Sequence, residues 1–413
     1  MSMGGGTFNL KNKALPGAYV NFVSAAKANA TLSERGTVCM PMALDWGIEK
    51  EIFEVTGEDF FKNSLKIFGY EYNDEKLKGL YDLFLNCEKV LVYRNNGGTK
   101  AANVLAEAKY SGVRGNDIKI AVTDTEVVTY FGTVEVDRQP IDDVKNNDYV
   151  NFYEGVSLSK TAGIPLEGGE NGKAELGDFF KIIESESFNI LASTDISKNA
   201  AFINFTKHMR NDVGVKFQTV LYKATADYEG IISVENAVTD DNEASLVYWV
   251  AGALAGCQVN ASVLNKVYDG SFKVSADYTV SELTTMIKEG KFLLHRVGTE
   301  LRVLADINSS VSGAEDFKNN QVIRVIDQIG NDIAYIFKTQ FLGQVPNDNA
   351  GRISLWNTIV SHHKQLLDVR AIEDFTSEDV IVEKGETKNS VVVTDYVTPV
   401  GAMAKLYMTV LVE

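Results

Sequence analysis

The end of the sequence constrains the fold more than any other feature. Residues 405–412, KLYMTVLV, read as a β-strand that continues almost to the last residue, Glu413. Chain ends are usually polar and frayed unless something holds them. A strand without a nearby partner exposes a row of backbone hydrogen-bonding groups, so we expect it to add to an open sheet edge. From the residues alone, that edge belongs either to the same chain or to another.

A second isolated strand is predicted near the start of the chain. The stretch GAYVNFVSA, residues 17–25, lies between a glycine-rich opening and the small polar segment AKANATLSERG. No turn and return strand follow it closely. Both ends of the sequence therefore carry a predicted strand without a local partner.

Between these ends the pattern indicates a multidomain α/β (α+β) protein. Short apolar strands such as GTVCMPMAL and KVLVYRN alternate with amphipathic stretches such as GEDFFKNSLKIFG, which is typical of helices packed on a parallel or mixed sheet. From residue 97 to residue 178 the sequence pattern changes and predicts short strands and glycine-rich turns. We interpret this segment as an inserted β-rich domain whose ends lie close together.

The last third of the chain predicts a smaller α/β lobe. Two periodic helices are followed by the strands DVIVEKG and NSVVVTDYV. The apolar residues that define the two helix faces are Ile326, Ile329, Ile333, Ile336 and Phe337 in the first helix, and Leu355, Ile359, Leu366 and Leu367 in the second. The predicted domains are an N-terminal arm (1–32), an α/β core (33–96 with 179–275), the inserted domain (97–178), the C-terminal lobe (276–398) and a C-terminal arm (399–413).

Charge and composition exclude several classes of partner. The chain has 40 basic and 56 acidic residues, a formal charge of −16, so we expect no nucleic-acid contact and no direct membrane binding. The uncharged segment 244–265 is interrupted by polar residues and is too short for a bilayer, which favours a buried core helix. Cys39, Cys87 and Cys257 lie far apart among apolar residues and are interpreted as buried thiols.

Catalytic and metal-binding patterns are absent from the sequence, and no cofactor is predicted. His362 and His363 are adjacent and diverge on a helix, while His208 and His295 have no ligand-type residue at metal spacing, so all four are interpreted as solvated or core histidines. The turn at residues 96–100, which runs from Asn96 to Lys100, follows a strand and precedes a predicted helix starting near Thr99. This layout leaves open an α/β enzyme or binding protein for a phosphorylated ligand, although the spacing does not fit a P-loop.

Several stretches resemble the tail sheath proteins of contractile-tailed bacteriophages and phage-tail-like (R-type) bacteriocins. They include ALPGAYVNFVSAAKANATLSERGTVCMPMALDWG near the start, AKYSGVRGNDIKIAV, VAGALAGCQVNASVLNKVYDG, NNQVIRVIDQIGNDIAYIF, VPNDNAGR and PVGAMAKLYMTV. These matches follow the family's order over almost the whole chain. The alternative of an inner tube or other tail component is disfavoured, because such subunits are usually small β proteins of one domain.

The resemblance implies a structural subunit, not an enzyme. Its expected partners are copies of itself in stacked hexameric rings, an inner tail tube protein, a baseplate and a tail terminator. It is expected to assemble in the bacterial host cytoplasm and to become part of a released virion tail or bacteriocin particle. The terminal strands would be donated to neighbouring subunits, which assigns the interface to Ala18, Tyr19, Val20, Asn21, Phe22, Val23, Leu406, Tyr407, Met408, Thr409, Val410, Leu411 and Val412.

Overall fold

The computed structural model describes residues 5–6, 18–19 and 32–412, which fall into two compact units. The larger unit comprises Glu34–Gln328 and Pro399–Glu413, and the smaller comprises Met1–Ser33 and Ile329–Thr398. A short parallel strand pair, Gly5–Gly6 with Ala18–Tyr19, belongs to the smaller unit. The remaining predicted arm residues Val20, Asn21, Phe22 and Val23 lie outside the described residues.

A seven-stranded sheet forms the centre of the larger unit. All neighbouring strands are parallel except the last pair, in which an edge strand runs antiparallel. The strands, from one edge to the other, are Lys291–Phe292, Ile231–Val234, Gln218–Tyr222, Ile190–Ser193, Thr37–Met42, Lys89–Arg94 and Ile52–Thr56. Most of their residues are buried, as continuous apolar runs predict for strands covered on both faces.

Alternate residues of these strands enter two separate cores. Val38 and Met40 pack with one set of helices, whereas Cys39 packs with the other. The helices of the larger unit are Gly57–Phe68, Lys78–Phe84, Phe179–Ile183, Asn199–His208, Leu246–Ala255 and Val280–Lys288. Shorter helical turns are Glu75–Leu77, Val113–Asp117, Ile196–Lys198, Met209–Val213 and Glu315–Lys318.

The predicted core helix within residues 244–265 is confirmed. Leu246–Ala255 is almost entirely buried and packs on Lys78–Phe84 and on the central strands. A Cβ atom at Gly252 would lie 2.3 Å from the carbonyl oxygen of Leu83, so only glycine permits this close backbone approach. Among the described residues, no helix is both long enough and apolar enough to cross a membrane.

The β-rich segment forms its own sheets and its own core. A four-stranded antiparallel sheet contains Val134–Pro140, Glu126–Phe131, Ile118–Val122 and Thr161–Pro165, and Ala106–Ala108 pairs with Val150–Phe152. The incoming strand Asn96–Thr99 and the outgoing strand Glu170–Ala174 are antiparallel neighbours. The two ends of the segment therefore lie side by side, while the boundaries 97 and 178 stay a prediction.

The last part of the chain contains two long helices and several short strands. The helices are Asn320–Ile336, extended by the wide turn Phe337–Phe341, and Asn349–Asp368. The boundary between the two units falls within the first of these helices. A hairpin in the larger unit pairs Leu294–Val297 with Glu300–Val303. A second hairpin, in the smaller unit, pairs Val380–Lys384 with Val391–Asp395. The remaining short elements are Ile372–Glu373, Ser377–Asp379 and Thr398–Pro399.

The predicted apolar face of the helix Asn320–Ile336 is largely wrong. Of the five residues that define it, only Ile336 is buried; Ile326, Ile329 and Ile333 are half-buried and Phe337 is 37% exposed. The buried residues of this helix are Ile323, Val325 and Ile336 together with a set of polar residues: Asn320, Gln321, Arg324, Asp327, Gln328 and Asp332. The second helix follows its prediction more closely, since Leu355, Ile359 and Leu366 are buried.

Candidate assembly interface

The C-terminal arm, residues 401–412, lies open along its whole length. It belongs to no helix or strand of the described chain, and every residue in it is exposed. The backbone N–H of Ala402 donates a hydrogen bond of 2.9 Å to Oε1 of Gln321, which holds the base of the arm. Beyond that point the seven predicted interface residues, Leu406 to Val412, have no strand partner among the described residues.

The exposed arm carries an unusual amount of apolar surface. The exposed fractions are 85% for Leu406, 88% for Tyr407, 87% for Leu411 and 91% for Val412. Burying one such side chain is worth about 1.5–3 kcal/mol. A run of this kind left in water marks an interaction segment rather than an ordinary surface.

The hairpin of the smaller unit offers open sheet edges. Val380–Lys384 and Val391–Asp395 pair only with each other within the described residues, so each strand keeps one unpaired edge. The indole N–H of Trp356 donates to the carbonyl oxygen of Val380 at 2.9 Å and fixes the first strand on its helix. On the second strand, Val392 and Val393 are 49% and 39% exposed.

A buried chain of four side chains ties this hairpin to the two helices. Oδ2 of Asp332 lies 2.9 Å from Nε2 of His362, and Oδ2 of Asp395 lies 2.7 Å from Nε2 of His363. Both imidazole rings have no exposed surface. The prediction of core histidines holds for this pair, but the two carboxylates come from positions 30 and 32 residues away, beyond the reach of local spacing.

A second buried charge network fixes the first turns of the helix Asn320–Ile336 within the larger unit. The guanidinium of Arg210 donates to both carboxylate oxygens of Asp327, at 2.6 and 2.9 Å. Burial opposes the charged form of Arg210, but Asp327 outweighs it and raises the pKa of this guanidinium. Arg324 donates to the carbonyl oxygen of Ala261 at 2.7 Å and lies 3.5 Å from the carboxylate of Asp306.

The turn considered for a phosphorylated ligand has a different structure from the predicted one. Asn96–Thr99 is a strand whose backbone pairs with Glu170–Ala174, and no helix begins at Thr99. Nζ of Lys100 lies 2.8 Å from a carboxylate oxygen of Glu107. The predicted helix is therefore wrong, and with it the helix N-terminus that would have held a phosphate.

Near this turn is an open groove with side chains of both charges. Gly97 and Gly98 line it, and its volume is about 460 Å³. Lys50 and Lys173 lie on its wall together with Glu175 and Asp178, so the groove has no clear preference for an anion.

All three cysteines are free thiols with little or no exposed surface. Cys39 and Cys87 are buried, Cys257 is partly buried, and burial raises the pKa of each of the three thiols. Within the part of the chain that the structure describes, no group of three or more His, Cys, Asp or Glu side chains is arranged to hold a metal ion.

Similarity to known families covers nearly the whole chain. Four family models match consecutive stretches: the tail sheath protein Gp18 domain III N-terminal region (35–94), the phage tail sheath protein beta-sandwich domain (95–171), the phage tail sheath protein central domain (169–309) and the phage tail sheath C-terminal domain (312–413). An α/β body with an unpaired apolar arm and an open hairpin is the arrangement of a protein that can assemble by strand addition.

Individual relatives give the same result. The sheath tail protein of Desulfitobacterium hafniense is 32% identical, with a TM-score of 0.81 over 93% of this chain and 96% of that chain. Phage-like element PBSX protein XkdK of Bacillus subtilis (strain 168) is 30% identical over 99% of both chains. The sheath of an extracellular contractile injection system in its contracted state is 11% identical, with a TM-score of 0.59 over 97% of this chain and 98% of its own, and shares the fold. The chain belongs to the phage tail sheath protein family, and it is a structural sheath subunit of a contractile tail.

Proposed function

We propose that copies of this chain form stacked hexameric rings around an inner tail tube and that the resulting sheath contracts to drive the tube through a target cell envelope. The open C-terminal arm carries this proposal, because beyond Ala402 it is an exposed, strand-length segment rich in apolar residues that pairs with no strand of the described chain. A second copy supplies what it lacks: a sheet edge. The residues assigned to this interface are the arm residues 406–412 and the N-terminal residues 18–23.

Strand addition suits an assembly that must rearrange without falling apart. Backbone ladders join the subunits, while the short stretches that lead into each arm bend as the subunit bodies rotate. Ala402 anchors the base of the arm, and residues 403–412 span the gap to the neighbour. The hairpin edges at Val380–Lys384 and Val391–Asp395 are the acceptor sites within the described chain.

The work of contraction comes from a difference in subunit contacts rather than from catalysis. An extended lattice that relaxes into one with more buried surface releases a few kcal/mol per subunit, on the scale at which two packings of one sequence differ. Summed over many copies this drives the tube without nucleotide hydrolysis. The particle also requires a baseplate and a tail terminator, and it assembles in the bacterial host cytoplasm before release as a virion tail or bacteriocin.

Removing the arm tests the proposal. Deletion of residues 405–413 should leave the melting temperature of the monomer unchanged, since the deleted part is exposed, and should abolish the striated tubes seen by negative-stain electron microscopy. Proline at Tyr407 and at Met408, tested one at a time, removes backbone donors that point to opposite edges of the strand, so one of the two should also abolish tubes. Alanine at the same positions keeps the N–H group and serves as the control.

Two outcomes would refute the proposal. Tubes of normal length from the deletion variant would show that the arm does not join subunits. A large loss of monomer stability on deletion would show that the arm closes a sheet of its own chain.

A further inference from the structure

A cavity opens beside the second strand of the hairpin in the smaller unit. Its volume is about 90 Å³. Its apolar wall residues include Phe337, Phe341, Leu342, Val345, Leu355 and Val391, and Asn347, Arg352 and Asn389 also line it. No residue of Val380–Lys384 lines it, so it lies on the side of the hairpin that carries Val391–Asp395.

The same strand is poorly covered on its helix-facing side. Val380, which faces the helix Asn349–Asp368, is 3% exposed, and Val382 lies on the same face of that strand. Val393 is directly opposite Val382 and therefore shares this face, yet it remains 39% exposed. Asp395 ends the strand, and its Oδ1 atom is buried without a hydrogen bond from any described residue. The half-exposed side chain of Val393 therefore lacks cover on this face of the hairpin.

The C-terminal arm has two chemically different faces. In an extended strand, Leu406, Met408, Val410 and Val412 point to one side and are all apolar, whereas the opposite side carries Tyr407, Thr409 and Leu411. The first face is the one expected to turn toward a core. All of these arm positions except Thr409 are large apolar side chains that are 68% or more exposed in the isolated chain.

We infer that the cavity beside Val391 receives one even-numbered side chain of the C-terminal arm of a second copy, which adds to the free edge of Val391–Asp395. This inference rests on the proposed function and specifies which edge and which face of the arm take part. The arm supplies the apolar cover that Val393 lacks. The cavity thereby sets the register of the arm, because a slip by one residue would turn Tyr407, Thr409 and Leu411 inward in place of the aliphatic and Met side chains of the even-numbered face.

Filling the cavity tests the inference. Val391→Trp should leave a folded monomer and abolish tubes, because the indole occupies the space of the arriving side chain. Combining it with Leu406→Ala, Met408→Ala, Val410→Ala or Val412→Ala should restore tubes in at least one case. The matched combinations with Tyr407→Ala and Leu411→Ala, on the other face, should not restore them.

A second variant covers the case in which Val391→Trp does not fold. Leu342 lies on the cavity wall and is 59% exposed, so Leu342→Glu changes the cavity at little cost to the monomer, and it should also abolish tubes. Tyr335→Glu, at a position that is 68% exposed and does not line the cavity, is its control and should assemble normally.

The outcomes separate this inference from the proposed function. If removal of residues 405–413 abolishes tubes but Leu342→Glu and a folded Val391→Trp assemble like the parent, the cavity assignment is wrong and the donated arm survives. The assignment is also wrong if tubes of Val391→Trp are restored by Tyr407→Ala, by Leu411→Ala or by Tyr19→Ala in the N-terminal arm. It is equally wrong if no alanine variant restores them. If the deletion variant itself forms tubes, both ideas fail.

Discussion

Nδ1 of His362 lies 3.2 Å from Nδ1 of His363, at the centre of a buried chain with a carboxylate at each end. Nε2 of each ring lies within hydrogen-bonding distance of an aspartate oxygen, Asp332 for His362 and Asp395 for His363. The four side chains therefore form one continuous polar chain that runs from the first long helix, through the second, to the end of the hairpin.

Replacing one of these rings should destabilise the smaller unit. In His363→Phe, Oδ2 of Asp395 loses its imidazole partner while Oδ1 already has no hydrogen bond among the described residues. We expect the free energy of unfolding to fall by about 2–3 kcal/mol. Urea unfolding followed by the fluorescence of Trp356 measures it. The control is His208→Phe, whose ring contacts Asp212 at the surface and should change stability by less than about 0.5 kcal/mol; equal effects would contradict the network.

Replacing only Arg210 of the Arg210–Asp327 pair should lower the free energy of unfolding more than replacing both side chains together. The two side chains are only 4% and 10% exposed, so Arg210→Met leaves a buried carboxylate and should lower stability by about 3–5 kcal/mol. Adding Asp327→Leu should recover much of this loss. Arg138→Met, at a half-exposed surface ion pair, should lower stability far less, because solvent screens that pair. A double variant no more stable than Arg210→Met would argue against this pairing.

The parts of the fold that the sequence predicted are those encoded by local patterns. The run from Thr37 to Met42 is apolar throughout and forms a buried strand, and the uncharged stretch around Trp249 forms a buried helix. Asn96–Thr99 could not be predicted, because NGGT becomes a strand only through a partner that begins at Glu170. The buried face of the helix beginning at Asn320 was predicted wrongly for a similar reason. Its Arg324 and Asp327 are buried because their charged partners, Asp306 and Arg210, come from distant segments of the chain.

The candidate interface was predictable in part. The alternation of Leu406, Met408 and Val410 indicates a strand, and the chain around it supplies no partner. The acceptor edge and the cavity beside Val391 depend on how the hairpin sits on its helix, which no local pattern records. The donated strands themselves stay a prediction until the assembled sheath is examined.

A loop in the larger unit should respond to acid. Oδ1 of Asp227 accepts hydrogen bonds from the backbone N–H groups of Val311 and Ser312, which lower the pKa of this carboxyl from 3.8 to about 2. Because the folded-state pKa is the lower one, the stabilisation is present above pH 3.8 and is lost as the pH falls toward 2. Asp227→Asn should flatten the stability profile in this window. Thermal melts across it measure the slope, and an unchanged slope would contradict the assignment.

The last prediction concerns the inserted β segment. Because Asn96–Thr99 and Glu170–Ala174 are paired neighbours, residues 100–169 can be replaced by a short Gly-Ser turn without moving the chain that flanks them. We predict that this variant still forms tubes.

The excision uncovers apolar surface on the parent domain, most of all at Trp46. Trp46 is fully buried, and it packs in the core of the inserted segment, with its ring centroid 5.2 Å from that of Tyr110 and 5.3 Å from that of Phe131. Removing the segment uncovers this indole, so the simple excision should melt earlier and aggregate. Adding Trp46→Gln removes the exposed apolar surface and should restore solubility, while the same substitution in the intact chain should destabilise it by about 3–5 kcal/mol. Thermal melts and negative-stain images of the three variants test this, and a soluble excised variant that cannot form tubes would show that the segment contributes to assembly.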